Sequence, residues 1–307
     1  MLPQKTAPAS GFSTLIVTLA AIGLGSVIGF SLSIFPPIYV VAGLLAVIVA
    51  IVTVLNVELG LLALVVITYT RLSDVLVHYY KAPSIAKPFI GLLLVAIALQ
   101  WIFYARPPRN WGKAALLVSL YGLVIFLSLF YAANFENAML AINDFWKDGL
   151  IAVIIVILLR NGPSLRRVAW SLIVVGAFMG SVSVFQYITG TFTNPYWGFG
   201  QAGLQNISGS SEGYRIAGPI GDPNFYAQIM LVLAPIALMR FLDEKNPTLR
   251  MFALYATGVI ALTVIFTFSR GAFLALLLMV AVLFWFSPPK PNQLMVYVLI
   301  GVMLLRF

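Results

Sequence analysis

Apolar residues in this chain run for roughly 17–25 positions at a time, the length an α-helix needs to cross a bilayer core of about 30 Å. Strands of a membrane barrel would instead alternate in and out over about 10 residues, and no such alternation is present. A soluble fold is excluded by the same runs. With 62% hydrophobic and 9% charged residues over 307 positions, and a mean hydropathy of +1.03, there is too little polar surface to wet a globule. The expected fold is all-α, a polytopic transmembrane helical bundle forming one domain over residues 1–307.

Proline and polar clusters divide the runs into about eleven expected spans, near 12–35, 38–55, 59–77, 88–105, 114–132, 146–160, 168–188, 223–241, 250–268, 271–287 and 293–307. The third is weakened by Arg71 and Asp74 near its end. A long polar connection, 189–222, separates the seventh and eighth. Placing the N-terminus in the cytoplasm puts eleven Lys and Arg on the inner side and six on the outer, namely Arg71, Lys81, Lys87, Lys147, Arg215 and Arg270. This is the bias expected of loops that set orientation.

The basic surplus, 18 Lys and Arg against 9 Asp and Glu, is therefore assigned to topology, and no nucleic acid partner is expected. The absence of cysteine excludes disulfides, thiolate metal sites and a cysteine nucleophile. No metal or cofactor site can be assembled. The first apolar segment lacks a small-residue cleavage signal and is expected to be retained as a helix. Because the last span ends at Phe307 without a polar flank, the chain is expected to be truncated at its C-terminus.

One charge sits where apolar surroundings make it costly. In "FTFSRGAFLALLL", residues 266–278, Arg270 interrupts an apolar run, and an arginine at mid-bilayer costs about 2.5–3.5 kcal/mol on insertion scales. Ser269 suits an N-cap and Gly271 a tight backbone, so a helix starting here would offer its positive end beside a guanidinium. That combination binds phosphate. In "YRIAGPIGDPNFYAQ", residues 214–228, Asp222 and Pro223 suit a helix start. Arg215, Asn224 and Gln228 are left to line a polar cleft on the same outer side.

Other motifs carry less. "GFGQAG", 198–203, matches a dinucleotide pattern without the strand and helix it requires and is expected to be a flexible loop. "NIS", 206–208, is a glycosylation sequon by pattern only. Gly25 with Gly29, and Gly176 with Gly180, suit close helix packing. His78, the single histidine, is expected to be an interfacial residue.

The pairing of "GYRIAGPIGDPNFYAQ" with "TFSRGAFLALL" about forty residues later resembles the O-antigen ligase and O-antigen polymerase family, over about 210–287. The resemblance implies a glycosyltransferase of bacterial inner membranes. Such an enzyme moves a glycan from a polyprenyl pyrophosphate carrier to an acceptor glycolipid or glycan at the periplasmic face, with no metal or cofactor. It implies Arg270 as the catalytic residue that holds the pyrophosphate, with Arg215, Asp222, Asn224 and Ser269 in the same binding site. The family also places a histidine in a large outer loop further along, so the general base is expected beyond Phe307. An alternative is an anion transporter of the bicarbonate type, in which Arg270 and Arg215 would bind a small anion.

Overall fold

The computed structural model describes residues 25–26, 29–34, 37–104, 111–159, 161–208 and 211–286. Helices α1 (Pro37–Leu55) and α2 (Val57–Tyr69) are followed by a short α3 (Leu72–His78), then α4 (Ala86–Tyr104), α5 (Trp111–Ser128) and α6 (Phe135–Leu158). After α7 (Gly162–Thr189) comes an antiparallel hairpin, β1 (Ala202–Ser208) and β2 (Ser211–Ile216). Then α8 (Pro223–Asp243), α9 (Pro247–Phe266) and α10 (Arg270–Phe286) complete the described chain.

Local chemistry starts these helices. Asn56, Asn134, Asn161, Asp222 and Asn246 are N-caps whose side chains accept from backbone N–H groups of the first turn. Three of them precede a proline in the first two helical positions, where its missing N–H costs nothing.

By length and apolarity, five of the described helices can cross a membrane: α4, α5, α7, α8 and α9. The pair α2 and α3 adds a sixth if counted as one bent span. The expected count of about eleven is not confirmed. The expected span at 293–307 lies outside the described residues, as does most of 12–35. The span expected over 59–77 is broken: Arg71 adopts φ 55°, a left-handed conformation that ends α2, and the chain bends by 53° into α3. The span near 146–160 is the second half of a longer helix whose first half carries Glu136 and Asp144, and Lys147 and Asp148 fall at the start of the span itself.

Helices α7, α8 and α9 form the centre. Lipid tails are as apolar as leucine, so close packing rather than water exclusion holds such helices together. Small residues make the seam, with Ala177, Ala234, Ala237, Ala256 and Ala261 all buried. A Cβ added at Gly180 would lie 3.0 Å from the Val259 carbonyl carbon, and one at Gly176 would lie 2.6 Å from Ile260 Cδ1. The expected packing role of this pair is met. At Gly25 and Gly29 no described atom lies within 4 Å of such a Cβ, so that pair packs against nothing described.

The bundle has two chemically distinct ends. At the start of α7, Arg166 forks onto Glu244 at 2.8 and 3.1 Å, and Arg167 Nε meets Glu58 at 2.9 Å, which joins the first turn of α2 and the end of α8. The far end of α7 carries the hairpin. Tyr214 of β2 stacks on Phe192 at 4.3 Å, Phe192 meets Tyr187 edge-on, and Tyr187 stacks on Phe266 at 3.9 Å. Gln186, fully buried, donates from Nε2 to the carbonyls of Asn194 and Gly200. The described part of the 189–222 connection thus forms a cap that includes a strand pair, and the stretch expected as a loop at 198–203 runs from a short 3-10 turn into β1.

Candidate functional site

Arg215 on β2 is the centre of the hairpin end. Its Nε donates to the Thr267 carbonyl at 2.8 Å, and its Nη2 donates to Asn224 Oδ1 at 2.9 Å. One guanidinium therefore ties together the hairpin, the first turn of α8 and the turn between α9 and α10. Asp222 Oδ1 accepts from the Asn224 and Phe225 amides at 2.8 and 2.9 Å. Burial lowers the pKa of Arg215, and the nearby Asp222 carboxylate opposes that effect.

Residues 217–221 pack down through Gly218. Its φ is +57°, and a Cβ there would lie 2.5 Å from the Tyr226 ring, so only glycine fits. Tyr226 is itself fully buried, with its hydroxyl 2.8 Å from Ser183 Oγ.

The α9–α10 turn presents the other expected residues. Phe268 adopts φ +50°, Ser269 is buried, and the Ser269 carbonyl accepts from Phe273 N at 2.9 Å. Ser269 occupies the cap position, but its hydroxyl forms no capping bond among the described residues. Arg270 opens α10 and is exposed, and its side chain makes no hydrogen bond or ion pair to another described residue. The structure thus brings Arg215, Asp222 and Asn224 together and anchors them three residues before Arg270, without joining them to the Arg270 side chain. Gln228, one turn beyond Asn224, is exposed and takes no part in the group.

A second feature escaped the motif reading. A cavity of about 490 Å³ opens between α3, α6 and the loops at 198–201 and 219–220. Its polar walls are Arg71, Asp74, His78, Asp144, Lys147 and Gln201. Arg71 Nε lies 3.0 Å from Asp74 Oδ2, Lys147 Nζ lies 3.0 Å from Asp144 Oδ1, and His78 Nδ1 faces the Asp74 carbonyl at 3.0 Å. The Arg71 guanidinium stands 5.9 Å from the centre of the Phe225 ring, next in sequence to Asn224, so cavity and Arg215 group are neighbours. The signal was present as paired opposite charges three residues apart, at Arg71 with Asp74 and at Asp144 with Lys147. What brings the two pairs to one place is the α2–α3 bend and the folding of the 189–222 cap.

No family model, curated protein or solved structure matches this chain.

Proposed function

We propose that this protein transfers a glycan from a polyprenyl pyrophosphate carrier to an acceptor glycolipid or glycan at the outer, periplasmic face of a bacterial inner membrane. The observation that carries the reading is the Arg215 brace, which holds a polar hairpin end against the turn that presents exposed Arg270 at a helix start. In this reading Arg270 and the first N–H groups of α10 take the pyrophosphate, where a cation and a helix N-terminus stabilise the charge that develops as it leaves. Arg215, Asn224 and Asp222 hold that turn in place, and Ser269 sets the start of the helix.

Three further points support it. The cap and its cavity lie at the opposite end of α7 from the Arg166–Glu244 and Arg167–Glu58 pairs, in keeping with the charge bias that puts Arg215 and Arg270 outside. In the expected alternation of about eleven spans, both arginines fall on that side. Buried hydroxyls inside the spans are engaged, Ser183 with Tyr226 and Thr257 and Thr263 with the carbonyls of Ala253 and Val259, while the buried atoms of α7 without a described partner, Trp170 Nε1 and Gln186 Oε1, lie in the first third and the last turn of that helix. Anion transport calls for unengaged polar groups near the midplane, so surface chemistry on a lipid-borne substrate is favoured.

Glycan transfer in membranes is the test. Arg270→Ala should abolish transfer while leaving insertion and melting temperature unchanged. Arg270→Lys should retain the charge but lose the forked geometry and most of the rate. Full transfer by the alanine variant would end the pyrophosphate reading.

A further inference from the structure

We infer that the cavity between α3, α6 and the cap binds a neutral sugar unit, and that it does so separately from the anion site at Arg270. The inference deepens the glycan-transfer reading by naming the chemistry of the acceptor, and rests on that reading only for the acceptor role. The binding itself follows from the cavity.

Size comes first. About 490 Å³ falls inside the range of roughly 300–1,000 Å³ typical of small-molecule sites. Charge then selects the occupant. Two cations line the walls, but each is held 3.0 Å from its own carboxylate, Arg71 by Asp74 and Lys147 by Asp144, and Asp148 lies a further 4.0 Å from Lys147. The wall is balanced. A phosphate or carboxylate entering here would have to displace Asp74 or Asp144 from its partner and would meet their repulsion. A hydroxyl suffers neither penalty, because it can donate to the carboxylate and accept from the cation of the same pair.

The remaining walls suit a polyhydroxyl compound as well. Gln201 offers a donor and an acceptor on one side chain. His78 Nδ1 faces only an acceptor, the Asp74 carbonyl, so in the neutral ring Nδ1 carries the proton and Nε2 is left as an acceptor. Val75, Tyr79, Pro219 and Ile220 supply the apolar surface against which the C–H face of a sugar ring packs. The walls are also set before a ligand arrives. A Cβ at Gly198, where φ is +89°, would meet Val75 Cγ1 at 2.8 Å, so the cap loop already touches α3.

The test uses the full chain in lipid nanodiscs and two probes, inorganic pyrophosphate and a panel of neutral sugars at millimolar concentration: glucose, galactose, mannose and N-acetylglucosamine. Saturation-transfer NMR should show binding of at least one sugar. Asp144→Asn and Gln201→Ala should each weaken it about tenfold, with melting temperatures confirming a folded protein, while Glu136→Gln, on α6 outside the cavity, and Arg270→Ala leave it unchanged. Pyrophosphate should show the reverse dependence and should not displace the sugar. Three results would overturn the inference: no sugar binding, sugar binding indifferent to both cavity variants in folded protein, or displacement of the sugar by pyrophosphate. If pyrophosphate binding proves independent of Arg270 while the sugar results hold, the carrier reading fails and the cavity assignment stands.

Discussion

Arg215 Nε and the carbonyl of Thr267 lie 2.8 Å apart, which closes the second strand of the hairpin onto the turn that launches α10. The same guanidinium reaches Asn224 Oδ1 at 2.9 Å, so one side chain holds the hairpin to the helix start nine residues on and to a turn 52 residues on. Hydrogen bonds from charged groups contribute about 1.5–3 kcal/mol each. This brace, rather than any regular element, sets where Arg270 emerges.

The brace has a measurable signature. Arg215→Ala and Asn224→Ala should each lower stability, and the double variant should lose less than the sum, with a coupling of about 0.5–3 kcal/mol in a thermal or denaturant cycle. Strict additivity would show that the two side chains act independently.

Gly180 should tolerate no side chain. A Cβ there meets Val259 backbone atoms at 3.0 and 3.1 Å, and backbone cannot rotate aside as a flexible side chain would. Gly180→Ala should cost about 1–3 kcal/mol by overpacking. Gly258→Ala, with nothing within 4 Å of the added Cβ, should be neutral or slightly stabilising. Comparing the two melting temperatures in one detergent gives the answer.

At the other end of the bundle, stability should fall in acid. Burial disfavours a charged Glu244, but amide bonds from Asn246 and Lys245 and the Arg166 guanidinium outweigh that effect and hold its pKa below the ordinary 4.5. A carboxyl with a depressed folded pKa stabilises the fold above its unfolded pKa, and the contribution disappears as pH falls through the folded value. Melting temperature should therefore drop below about pH 4.5 in the wild type, and Glu244→Gln should flatten that part of the profile.

Orientation can be read directly because the chain has no cysteine. Thr193→Cys, in the cap, and Lys245→Cys, between α8 and α9, are both at exposed positions. They should react with a membrane-impermeant thiol reagent from opposite faces, the first from outside. Labelling of both from one face would contradict the alternation of α7 and α8 across the membrane.

Much of the architecture was legible in the residues alone. Uninterrupted apolar length specifies a helix in lipid because every backbone group must be satisfied within the segment. Asn161, Asp222 and Asn246 announce helix starts because capping is local chemistry. Gly176 and Gly180 show a packing face for the same reason, since the seam follows from helical spacing. The roles of Arg215 and of the cavity were not legible. Arg215 lies 52 residues from Thr267, and nothing near either position indicates that they meet. Likewise, Arg71 with Asp74 and Asp144 with Lys147 are ordinary pairs one helical turn apart until a left-handed Arg71 bends α3 and the cap folds over, bringing both into one cavity. Periodicity and capping act within a few residues and can be read in order along the chain. A brace between a strand and a distant carbonyl, and a cavity walled by four separate segments, exist only once the chain has closed on itself.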